Sequence, residues 1–405
     1  MKMLARDPLE EATVPLRAAA EPKLFELALP PLALVRGGAV EAHHARGWWW
    51  GPTVDGPVLE ARARPLPSWA IREPMRVVQR DGPVPPLEAT GAPKLRDDVP
   101  TVLAIHALTG DARVGGPGGW WEPLIGEGRP MDPAKLRVLC FNNLGSCYGS
   151  SGPGDQGFPE AAELTSWDIA RALWQALDAL GVDRLALVGG GSLGGMVALC
   201  VAALRPDKVD RLLPVACSAQ ASAWVVGWNH VAREILKLDP GFPNELGRGL
   251  ELARQVAMLT YRAEAGLDLR QGRHLQLVPG AAGEYRIQGY LEHQGLRLHR
   301  RFDGRSYLQM LNAMDHHDLL LPPPGEEGMP AVARIRSSAL VVDVDTDQLF
   351  TPAQVAALAG ELAAAGCHVE RATIPSVHGH DAFLIEEAPM AAAVRRALAL
   401  PAPAR

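Results

Sequence analysis

The chain has 405 residues, 47% of them hydrophobic and 21% charged, with a formal net charge of −6. That is the balance of a soluble globular protein, long enough for one large or two ordinary domains. The 40 Lys and Arg form no block, so neither nucleic acid nor a membrane surface is an expected partner.

Met1 to Glu11 mixes charges without an apolar stretch, so no signal peptide is expected and the cytoplasm is the expected location. Residues 1–25 carry no periodicity and are expected to form a poorly ordered tail. From Phe25 to Ile71, short apolar pieces broken by proline and glycine predict irregular antiparallel strands, with Trp48, Trp49 and Trp50 as packing residues. Residues 83–100, rich in proline and charge, predict an exposed loop.

At Thr101 the character changes. Thr101-Val-Leu-Ala-Ile105 and Arg137-Val-Leu-Cys-Phe141 read as buried strands. Ile169, Leu173, Leu177 and Leu180 form one stripe of a helix over 160–180 that Gly181 ends. Leu185 to Val188 reads as a strand, Met196 to Leu204 as a helix, and Arg211 to Ala216 as a further strand. The charge-free run 185–204 has the length of a membrane span. Its glycines at 189, 190, 191, 194 and 195 break it into two buried elements instead, and its flanking charges show no directional bias. Between 219 and 330 helical patterns take over, at 224–236, 250–262 and 306–317; alternation then resumes with a strand at 339–343, a helix at 352–365, a strand at 368–374 and a helix at 382–398. The fold class expected is α/β, a doubly wound and mostly parallel sheet with right-handed crossovers. Its core spans 26–218 and 331–405, and a helical lid over 219–330 is inserted above the site.

The bend inside the charge-free run is Gly190-Gly191-Ser192-Leu193-Gly194, a G-x-S-x-G between strand and helix. A serine on that turn is lifted clear of the sheet beside backbone N–H groups, and the N–H of Leu193, the next residue, is the expected donor to an oxyanion. A hydroxyl needs a base to take its proton and a third group to orient that base. In doubly wound hydrolases these follow the serine as acid, then histidine. Residues 343–350 offer Asp343, Asp345 and Asp347, and residues 377–381 offer His378 and His380. Chemistry alone leaves those choices open. Five cysteines, at 140, 147, 200, 217 and 367, make no metal-ligand spacing and no disulfide framework, so neither a metal nor a bound cofactor is expected.

Longer words lie around these residues: His106-Ala-Leu-Thr-Gly-Asp111, Gly119-Trp-Trp121, Asn143-Leu-Gly-Ser-Cys-Tyr-Gly149, Ser192-Leu-Gly-Gly-Met196, the segment 254–261, Arg301-Phe-Asp303, Ser306-Tyr-Leu308, Asp347-Gln-Leu-Phe350 and Gly379-His-Asp-Ala-Phe-Leu384. From residue 101 to the end they resemble the homoserine O-acetyltransferase family of α/β-hydrolase-fold acyltransferases. The resemblance implies Asp347 as the acid, His380 as the base and Leu108 as the second oxyanion donor; His106 itself is expected to be structural. Arg254 and Tyr261 are seven apart, two helical turns, and share a face. The family pattern makes them binders of the amino acid, gives its ammonium to Asp381, and puts the loop 143–149, with Cys147 and Tyr148, on the pocket wall.

The implied reaction moves an acetyl group from acetyl-CoA to L-homoserine through an acyl-serine, in a homodimer joined through the lid helices. A succinyl donor, serine or another alcohol as acceptor, and plain ester hydrolysis are the alternatives. The chain departs from the pattern in a short loop at 150–159, in Ser166-Trp167-Asp168 where an arginine–aspartate pair is expected, and in an insertion at 51–98.

Overall fold

A computed structural model of the chain describes residues 23–51, 99–276 and 283–403. The tail expected over 1–25 lies outside them as far as residue 22, and the insertion expected over 51–98 does so from residue 52. Residues 23–25 are not tail. They open β1 (Lys23–Ala28), an edge strand in which Leu24, Phe25 and Leu27 are buried.

β1 pairs antiparallel with β2 (His44–Trp50), and β2 pairs antiparallel with β4 (Arg137–Phe141). The other strands of this eight-stranded sheet are parallel: β3 (Thr101–Ile105), β5 (Leu187–Gly191), β6 (Arg211–Val215), β7 (Ser338–Val344) and β8 (Val369–Ile374). The sheet order is β1-β2-β4-β3-β5-β6-β7-β8. Every residue of β3, β4, β5 and β7 is buried, the condition of parallel strands covered on both faces. Edge strand β8 buries only Ile374 fully. The tryptophans of β2 alternate between faces: Trp49 packs on Phe25 at 5.5 Å, while Trp48 and Trp50 stack 6.3 Å apart. Strand β5 runs to Gly191, beyond the predicted end at Val188, because Gly189 to Gly191 pair with Leu213 to Val215.

One face carries α1 (Ser166–Ala179) and α2 (Leu193–Leu204), tied by Trp174 Nε1 donating to Val201 O at 3.0 Å. Helix α1 starts six residues later than the predicted 160. Thr165 is extended there and forms a capping box with Asp168, which satisfies the orphan N–H groups of the first turn. That is the role of the aspartate in the departing Ser-Trp-Asp word, which also accepts from Val35 N at 2.7 Å.

Five helices follow where three were predicted: α3 (Ala223–Lys237), α4 (Gly247–Tyr261), α5 (Glu264–Gln271), α6 (Arg286–His299) and α7 (Gly304–Asp315). The two unforeseen ones, α5 and α6, bury few residues completely, Gly266 in one and Gly295 and Leu298 in the other. Neither presents the broad apolar stripe that periodicity detects. Gly295 lets α6 approach α4 so closely that a Cβ there would lie 2.6 Å from Glu251 O. After β7 come α8 (Pro352–Ala364) and, in place of one final helix, α9 (Ala382–Ile385) and α10 (Glu387–Ala399), divided at non-helical Glu386. Among the described residues no helix is long and apolar enough to cross a membrane.

Candidate active site

Ser192 joins β5 to α2 with φ 57° and ψ −127°. Positive φ is strained for any residue with a Cβ, costing on the order of 1–3 kcal/mol. The surroundings enforce it. Ser192 N donates to Val215 O at 2.9 Å, while Gly195 N and Met196 N donate to Ser192 O. Gly190 and Gly194 both abut the Ile105 carbonyl, where a Cβ on either would lie 2.2 Å from that oxygen. The chain can turn this tightly only because both positions lack side chains.

Beyond β7, Asp347 is buried, and its Oδ1 accepts from Leu349 N at 2.8 Å and Phe350 N at 3.0 Å. Its Oδ2 accepts from His380 Nδ1 at 2.7 Å. One carboxylate oxygen is thereby held by backbone and the other by imidazole. The competing candidates have other partners: Asp343 pairs with Arg371 at 2.7 Å, Asp345 accepts from Ser376 N at 2.9 Å, and His378, which lines the same cavity as Ser192, sits beside Arg270 at 3.4 Å. His380 is almost wholly buried among the rings of Tyr261, Phe350 and Phe383, at 5.8, 5.4 and 5.7 Å. Burial opposes its protonation, yet the charge and hydrogen bond of Asp347, with Asp381 adding to them, hold its pKa above the ordinary 6.5. With Nδ1 engaged, Nε2 is the nitrogen left to accept a proton.

Ser192 and His380 line one cavity of about 500 Å³. Leu108, Arg254, Tyr261 and Asp381 line it too, and Leu193 is the first residue of α2. Arg254 lies 5.3 Å over the Tyr261 ring, a contact that their shared helix face allows. Asp381 is paired with the Arg262 guanidinium at 3.1 Å. His106 is buried, with Nδ1 donating to Ala107 O at 2.8 Å and Nε2 accepting from Asn143 N at 3.0 Å, which pins the loop that carries Leu108. The loop 143–149 contributes no lining residue. It lies behind Arg301, whose Nη1 donates to Tyr148 OH at 2.8 Å and to Thr109 O at 2.7 Å. Burial pushes the Cys147 thiol far above its ordinary pKa, so it is no thiolate nucleophile.

Sequence reasoning assigned no role to Arg262 or Arg301, although both face the cavity. The one signal was Arg301 within its Arg-Phe-Asp word. Among the described residues no His, Cys, Asp and Glu cluster could hold a metal ion.

Residues 100–385 match the α/β hydrolase fold family model. The chain is 35% identical over 319 residues to a homoserine O-acetyltransferase of Moorella thermoacetica, covering 73% of this chain and 84% of that protein. It is 40% identical over 313 residues to one of Thermus thermophilus, covering 70% and 78%. Among solved structures, homoserine O-acetyltransferase from Bacillus anthracis superposes with TM-score 0.76 at 18% identity over 95% of this chain and 99% of that one. An acetylester hydrolase from Corynebacterium glutamicum superposes with TM-score 0.70 at 16% identity over 93% and 95%; at such identities the likeness is one of fold. By its sequence relatives, the chain belongs to the homoserine O-acetyltransferase family, acyl-transferring enzymes built on the α/β-hydrolase fold.

Proposed function

We propose that the enzyme moves an acetyl group from acetyl-CoA to the side-chain hydroxyl of L-homoserine, with Ser192 as nucleophile, His380 as base and Asp347 as its orienting acid. The observation that carries this is the 2.7 Å bond between His380 and Asp347 at a cavity whose wall includes Ser192.

His380 Nε2 takes the Ser192 proton as Oγ bonds to the thioester carbon, and the carbonyl electron pair moves onto oxygen. The N–H groups of Leu108 and Leu193 donate to that oxyanion, a contribution of roughly 3–4 kcal/mol per donor in comparable sites. Collapse breaks the C–S bond, and His380 returns the proton to the departing CoA sulfur. In the second half His380 takes the homoserine hydroxyl proton, the new ester bond forms, and Ser192 leaves with the proton. Arg254 and Tyr261 hold the acceptor's carboxylate end, and Asp381 its ammonium. The helices over 219–330 form a lid above a core of 26–218 and 331–405, and exclusion of water by that lid favours transfer over hydrolysis.

The acetylester hydrolase likeness makes hydrolysis the second reading, because the fold alone does not choose the acceptor. Mass spectrometry of products from acetyl-CoA with and without homoserine separates them. O-acetylhomoserine is the expected product, and CoA release at one rate regardless of acceptor sinks the transferase reading. Succinyl-CoA and serine, run in the same assay, fix donor and acceptor.

A further inference from the structure

The carboxylate assigned above to the acceptor's ammonium is already paired with a cation of the chain. Asp381 and Arg262 pair at 3.1 Å with side chains only 14% and 19% exposed, and both line the cavity of Ser192 and His380. Arg262 follows Tyr261, the last residue of α4, and its Nε is buried without a hydrogen-bond partner. A guanidinium has five donors, so its position on Asp381 leaves it incompletely satisfied. A second cavity, of about 270 Å³, shares Arg262, Leu267 and Gln271 with the first and is bordered by Glu264 and Asp268. The side chain therefore borders two spaces, each with a carboxylate on its wall.

We propose that Arg262 is a displaceable stand-in for the acceptor's ammonium. It neutralises Asp381 while the acceptor site is empty and moves into the second cavity, toward Glu264 and Asp268, when a primary ammonium arrives. This rests on the reading of Asp381 as the ammonium's partner. A carboxylate this shielded is costly to leave unpaired, and the Arg262 guanidinium is the counter-ion beside it. Two cations beside one carboxylate repel each other, and on this proposal the acceptor's ammonium takes the place of the first. Its apparent affinity is reduced by the fraction of molecules in which Asp381 is free. The device selects acceptors that bring an ammonium of their own, since a neutral alcohol cannot displace Arg262.

The test compares the full-length enzyme with Arg262→Ala at saturating acetyl-CoA. The acceptors are L-homoserine and N-acetyl-L-homoserine, which keeps hydroxyl and carboxylate but lacks the ammonium and is read as substrate or as inhibitor. Active sites are titrated with a fluorophosphonate, so a misfolded fraction does not distort the constants. The expected result is a homoserine KM roughly three- to tenfold lower in Arg262→Ala, with the N-acetyl constant unmoved and Arg262→Lys close to the parent. A homoserine KM that rises or stays constant in Arg262→Ala overturns the proposal, because Arg262 then does not compete for Asp381. Asp381→Asn tests the underlying reading separately: it should raise the homoserine constant alone. If it shifts both constants alike, the ammonium assignment fails and the proposal goes with it.

Discussion

Ser192 keeps a backbone conformation that other residues avoid, and Gly190 and Gly194 make room for it against one carbonyl, that of Ile105. The strain places the hydroxyl at a helix start, where a base can reach it and backbone N–H groups flank it. Removing that hydroxyl leaves only the binding and oxyanion contributions. Ser192→Ala should lose on the order of a millionfold in kcat, and a variant retaining most of its turnover refutes the assignment. A second consequence concerns His380. The proposed role as base requires it neutral, and its pKa is raised by Asp347 and Asp381 against the effect of burial. The kcat/KM profile should therefore climb with pH through a limb lying above 6.5. Asp381→Asn removes one of the anions favouring imidazolium and should move that limb to lower pH. A limb that stays still or moves up speaks against the coupling.

Helix α7 is joined to the core by buried polar contacts rather than by apolar packing alone. Gln309 accepts from Leu164 N at 3.1 Å and donates to Ala162 O at 2.7 Å, which binds α7 to the segment before α1. His317, just past α7, accepts from the Ser166 hydroxyl at 3.0 Å and donates to Ser218 O at 3.2 Å. This histidine is built to stay neutral. Burial pulls its pKa down to about 4 despite the Ser218 carbonyl and Asp318. The unfolded chain binds a proton there below pH 6.5 and the folded chain does not, so stability falls as pH drops from 6.5 toward 4. At 1.36 kcal/mol per unit the loss is about 3 kcal/mol. Urea unfolding of the parent and His317→Asn across that range should give a shallower pH dependence in the variant. Parallel curves would show that the group carries no such linkage.

Across the described residues, every exposed large hydrophobic side chain except Val377 falls within 219–330, including Leu238 at 82% and Leu269 at 75% exposure. Exposed apolar side chains concentrated in the inserted helices favour burial against a partner. We propose a homodimer that buries it. Sedimentation equilibrium should return about twice 43.3 kDa, and a species of 43.3 kDa at micromolar concentration removes the proposal.

The sequence by itself determined the alternating core and the G-x-S-x-G turn, because buried strands and a glycine-flanked serine are written in neighbouring residues. Its apolar runs at 101–105, 137–141 and 339–343 all became strands. Local chemistry left three aspartates and two histidines open and the family resemblance pointed to Asp347 and His380; the tertiary structure joins those two, 33 positions apart, and turns Asp343 and Asp345 to other partners. Helices α5 and α6, the withdrawal of loop 143–149 behind Arg301 and the pairing of Arg262 with Asp381 were not legible in the sequence. Each depends on contacts between elements distant along the chain, and hydrophobic periodicity records only which face of an element is buried, not which charged group meets it there.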